Sequence, residues 1–135
     1  MAQAEIDAAA EKRPLSPHLT VYKPMLTMVM SMAHRISGVA LYVGAALLAV
    51  YLLALAFGPG TFSAFSWIVN GFFGHLIVLG FSWALFTHLL GGVRHALWDR
   101  GLYMDPKGRE LLTQGTLAGG IALTLLTWIL STLAG

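Results

Sequence analysis

Phe57–Ser63 reads FGPGTFS and lies inside an interval, Ile36–Val93, that carries no Asp, Glu, Lys or Arg. A helix of about 20 residues crosses a ~30 Å hydrocarbon layer, so this interval is too long for one crossing and long enough for two. Gly58, Pro59 and Gly60 end a helix and turn the chain back. A second uncharged run, Leu111–Gly135, adds a third crossing. The expected fold is an all-α integral membrane protein with spans near 32–57, 65–93 and 112–133.

Composition agrees. The 135 residues are 57% hydrophobic and 10% charged, against about 25% charged in soluble domains. The sequence pI of about 9.2 does not indicate nucleic-acid binding, because the positive charge is confined to two segments. Lys12, Arg13, Lys23 and Arg35 form the first, and Arg94, Arg100, Lys107 and Arg109 the second. The positive-inside rule therefore puts the N-terminus and the 94–110 loop in the cytoplasm, and three spans put the C-terminus in the periplasm. No cysteine is present, which excludes disulfides, iron–sulfur ligation by this chain and thiol catalysis. The opening MAQAEIDAAAEKRP lacks the apolar core of a signal peptide and the Arg/Ser bias of a mitochondrial presequence, as expected of either a mature form or a bacterial protein, and the bacterial inner membrane is the favoured reading.

Residues 1–30 read as a cytoplasmic N-terminal segment with an interfacial stretch, and 31–135 as a three-helix anchor domain. Residues 1–13 suit a disordered or weakly helical tail, and 14–24, PLSPHLTVYKP, an ordered but irregular segment. A helix from Met25 to Phe57 would run about 50 Å, beyond the hydrocarbon core, so its Met-rich start is expected at the interface or against a partner. Trp67 and Trp128 fall near the far interface, and Gly115-x-x-x-Gly119 is compatible with close helix contact.

Of the five histidines, His18 lies in the polar N-terminal segment, and His34 and His95 lie near the cytoplasmic boundary. His88 stands six residues before Arg94, about 9 Å into the apolar layer, where an ionisable group needs a partner. Gly91 and Gly92, three and four positions on, leave room for something flat on the same face. Axial haem ligation and a hydrogen bond to a neighbouring helix both fit. His75, thirteen positions earlier, is about 20 Å away and about 220° round the helix, so the two cannot grip one iron. A haem here would take its second ligand from another subunit; two haems in a homo-oligomer, or a cofactor-free scaffold, are the alternatives. Arg35 at the same end, with His34 beside it and Ser31 one turn back, could meet haem carboxylates, orient a quinone oxygen, or simply snorkel.

RPLSPHLTVYKP (13–24), SMAHRISG (31–38) and HLLGGVRHALWD (88–99) together resemble the cytochrome b556 family, the larger membrane-anchor subunits of succinate dehydrogenase, respiratory complex II. The resemblance implies an electron-transport complex of the tricarboxylic acid cycle in which a flavoprotein oxidises succinate and an iron–sulfur subunit passes electrons on. Two membrane anchors in the lipid bilayer then hold haem b and reduce ubiquinone. By position, His88 matches the axial haem iron ligand, Ser31 and Arg35 the quinone site, and His34 with Arg35 the haem propionate contacts. The opposite iron ligand would come from the smaller anchor subunit. Arg94, His95 and Asp99 would order the end of the second span, and no residue of this chain would touch succinate.

Overall fold

The computed structural model describes residues 2–11 and 21–134, with the side chains of 8–11 left aside. Lys12, Arg13, His18 and most of the expected irregular segment lie outside the described residues. Five helices follow in order: α1 (Ala2–Glu11), α2 (Leu26–Ala56), α3 (Pro59–Val69), α4 (Phe72–Asp99) and α5 (Pro106–Ala134). Among the described residues α2, α4 and α5 are long and apolar enough to cross a membrane, so the expected three spans are present.

Two boundaries differ from expectation. α2 is one continuous helix of 31 residues, about 46 Å long, so Leu26–Met30 prolongs the first span as helix and the 30/31 boundary falls inside it. The second crossing begins at Phe72, because Pro59–Val69 is a separate helix of 11 residues, about 16 Å and too short to span. Gly58 turns the chain at φ 105°, a conformation that side-chain-bearing residues resist, and Pro59 then starts α3 with its fixed φ. Asn70 and Gly71 separate α3 from α4. Tyr51 of α2 meets Phe62 and Phe65 of α3 edge-on, at 5.7 and 5.8 Å between ring centroids, and this holds the short helix against the bundle.

The interior inverts the soluble pattern. Ser37, Thr87, Thr113, Thr116 and Thr124 are buried, while large apolar side chains such as Tyr42, 82% exposed, face outwards. Small side chains let helix backbones approach where lipid supplies no hydrophobic drive between helices. The buried α5 hydroxyls are satisfied within their own helix: Thr113, Thr116 and Thr124 donate to the carbonyls of Arg109, Leu112 and Gly120 at 2.7, 2.8 and 2.7 Å. At the far end the Trp128 indole N–H reaches Ser82 Oγ at 3.3 Å, while Trp67 is exposed.

Of the expected Gly115-x-x-x-Gly119 pair only Gly119 meets α4, where a Cβ would stand 2.7 Å from Leu90 Cδ1, and Gly120 beside it packs on Thr87. A Cβ on Gly120 would stand 2.5 Å from Thr87 Oγ1, whereas Gly115 has nothing within 4 Å. Gly120→Ala should therefore destabilise the bundle by about 1–3 kcal/mol through overpacking. Gly115→Ala should be neutral or slightly stabilising, since alanine is the better helix former. Thermal unfolding in detergent distinguishes the two.

Candidate functional site

At the charged end of the bundle, α2 and α4 cross through two short periodic faces. His34, Ser37 and Gly38 are spaced i, i+3, i+4 on α2; His88, Gly91 and His95 are spaced i, i+3, i+7 on α4. The spacing brings the imidazoles together. The His34 and His88 rings stack with centroids 4.1 Å apart and planes 7° from parallel, and His95 lies 5.0 Å from His34. Gly38 allows the approach, since a Cβ there would stand 3.0 Å from His88 Cε1. The clearance expected at Gly91 is already filled, because the His34 ring occupies it. Gly92 does face open space.

His88 has a defined proton. Its Nδ1 lies 3.1 Å from the His34 carbonyl, which can only accept, so Nδ1 carries the hydrogen. Ser37 Oγ stands 3.2 Å from the same Nδ1 while donating to that carbonyl at 2.8 Å. The Nε2 lone pair is therefore left for a ligand, the arrangement that orients metal-binding imidazoles. Among the described residues no group of three or more His, Cys, Asp or Glu could hold a bare metal ion. A macrocycle that brings its own four equatorial nitrogens needs only an axial imidazole, and His88 fits that requirement.

Ser31 and Arg35, one turn apart on α2, line a cavity of about 430 Å³ with Met28, Met32, Trp98 and Arg109. His34, the neighbour of Arg35, turns instead into the stack against His88. Arg94 is 2% exposed; its Nη1 reaches Thr113 Oγ1 at 3.5 Å and its Cζ lies 5.1 Å from the Trp98 ring centroid. It thus braces α4 against α5, although among the described residues its Nε finds no partner. His95 Nδ1 donates to the Gly91 carbonyl at 2.7 Å. Asp99 is exposed at the end of α4. His75, exposed near the start of α4, donates from Nδ1 to the Gly71 carbonyl at 3.0 Å, a contact within its own turn.

Sequence reasoning passed over four contributors: the His34 carbonyl, Ser37, Trp98 and Arg109. The i+3 spacing of Ser37 from His34 was a usable signal. Arg109 carried none, since only packing joins it to Ser31.

The family profile described as succinate dehydrogenase/fumarate reductase transmembrane subunit matches residues 9–127. The succinate dehydrogenase cytochrome b556 subunit of Paracoccus denitrificans is 38% identical over 123 residues, covering 91% of this chain and 95% of that protein. The corresponding subunit of Rickettsia bellii is 34% identical over 87% of this chain and 92% of its own length. The cytochrome b560 subunit of Reclinomonas americana is 33% identical over 87% and 85%. With three spanning helices in place, the chain belongs to the succinate dehydrogenase/fumarate reductase transmembrane subunit family, the membrane anchors of complex II.

Proposed function

We propose that this chain anchors a succinate:ubiquinone oxidoreductase in a bacterial inner membrane, shares haem b with a second, smaller anchor subunit and supplies part of the ubiquinone site. The carrying observation is His88, an imidazole whose Nδ1 proton is tied to the His34 carbonyl and whose Nε2 is left to coordinate. The relatives' designation as cytochrome b subunits supports b-type haem as the group it meets. When bound, the haem supplies a one-electron redox centre. His88 would hold its iron from one side, with the opposite ligand from the smaller anchor, because His75 lies about 20 Å along the same helix. His34 and Arg35, on the turn of α2 that faces His88, would meet the propionate carboxylates.

The charge asymmetry supports a cytoplasmic N-terminus and 94–110 loop and a periplasmic C-terminus. Residues 1–30 then belong to the cytoplasmic side, where flavoprotein and iron–sulfur subunits would dock. Ser31 would orient one quinone carbonyl oxygen by hydrogen bonding. The Arg35 guanidinium would stabilise the negative charge that develops there as two electrons arrive from succinate oxidation and two protons arrive from the cytoplasm, giving quinol. Succinate itself is handled elsewhere in the complex.

Purification in mild detergent tests the assembly. A flavoprotein, an iron–sulfur protein and a second small membrane protein should co-purify in equal amounts with this chain. Recovery of the chain only as a homo-oligomer would contradict the assignment.

A further inference from the structure

Two guanidinium groups border the cavity that holds Ser31: Arg35 from α2 and Arg109 from α5, with Trp98 of α4 in the same wall. None of its described lining residues is a carboxylate. Both side chains are exposed, and two like charges beside one largely apolar hollow repel each other, a cost that an electron-rich guest offsets.

Helix stability does not explain Arg109. Asp105 caps α5: its Oδ2 accepts from the Gly108 N–H at 3.0 Å, and its carbonyl accepts from the Arg109 N–H at 3.0 Å. That cap fixes the first turn, where the helix dipole favours acids and disfavours cations. Arg109 nevertheless stands there, and no acid does. It also lines an adjoining hollow with Met25, Leu26, Thr27, Pro106 and the acidic Glu110, so it lies at the boundary between the two cavities. Arg94 Cζ lies 5.1 Å from the Trp98 ring centroid, and His95 meets the ring edge-on at 5.5 Å. Through His95 and His34 its ring is in continuous contact with the His88 stack.

We propose that Arg109 is the capturing cation of the quinone pocket and Trp98 its aromatic wall, so that head-group selection by this chain draws on all three spans. This rests on the assignment of the cavity to ubiquinone given above. Ser31 and Arg35 act on the oxygen that gains charge during reduction. Arg109 attracts the oxygen-rich head group at the mouth, and Trp98 offers its ring a flat apolar face. Arg109 and Trp98 therefore govern KM, and Arg35 governs kcat.

The test uses the purified four-subunit complex and a short-chain ubiquinone analogue, with succinate oxidation by a soluble artificial acceptor as the control. Arg109→Met should raise the quinone KM about tenfold with kcat changed less than about twofold, the signature of lost ground-state binding. Arg109→Lys should recover most of the affinity. Trp98→Leu should raise KM similarly and Trp98→Phe should restore it. The artificial-acceptor rate should stay unchanged throughout. Unchanged KM in Arg109→Met and Arg109→Gln, with Arg35→Ala still lowering quinone turnover, would overturn the role of Arg109 and leave the quinone site standing. If Arg35→Ala is also silent, the quinone assignment falls with it. Repeating the assay in phosphatidylcholine vesicles with and without anionic phospholipid separates the other anion source. A KM effect that disappears without anionic lipid would assign Arg109 to a lipid phosphate and overturn the proposal.

Discussion

His88→Ala is expected to abolish the b-type absorbance of the purified complex, while His75→Ala leaves the reduced spectrum unchanged. Losing a hydrogen-bond partner of a metal-ligating histidine already costs about 10–100-fold in metal affinity, so losing the ligand itself costs more. Among the described residues the neighbouring imidazoles are held in other contacts. The His34 ring is packed against Gly91 and stacked on His88, and His95 is tied to the Gly91 carbonyl. The control is as informative as the variant. Among the described residues His75 hydrogen-bonds within its own turn and meets Trp128 edge-on at 6.3 Å, and its removal leaves the α2–α4 crossing intact. If His75→Ala removes the haem, ligation must be reassigned to the far end of α4.

Arg35→Ala should lower quinone reduction about 10²–10³-fold, the usual effect of deleting one donor aimed at developing negative charge. Succinate oxidation by a soluble acceptor should be retained, because the proposed function assigns that chemistry to other subunits. Arg35→Lys should recover only part of the loss, since an ammonium cannot reproduce the planar fork. Arg35 is exposed on α2, so its removal leaves no cavity in the bundle. Parallel loss of both activities would mean that the residue serves assembly.

The three spans were legible in sequence because lipid imposes a length and an absence of charge, and both are local properties. α3 was missed because AFSWIVNGFF (64–73) is uncharged and mostly apolar, and Asn70-Gly71 is its one turn signal. That dipeptide was a turn signal outweighed by hydropathy. The first spanning helix, α2, begins at Leu26, ahead of the expected span start near 32. The length argument rightly limits how much helix lies in hydrocarbon, yet a helix can project past the boundary without breaking. At the site, the depth of His88 and the pairing of Ser31 with Arg35 followed from spacing along one helix. The use of Gly91 did not. An open flank reads the same whether a macrocycle or the ring of His34 fills it, and only the α2–α4 crossing decides. Trp98 and Arg109 are separated from Ser31 by whole helices, and no periodicity in a single sequence reports which loop folds over which turn.

The central claim is that His88 holds one haem iron together with a ligand from a different polypeptide. The direct measurement is haem content per chain in the purified assembly, read as the pyridine haemochrome against quantified subunits. The expected result is one b-type haem for each copy of this chain and each copy of a distinct small anchor, lost in His88→Ala. A colourless assembly, or haem retained by this chain after the second anchor is removed, would contradict it.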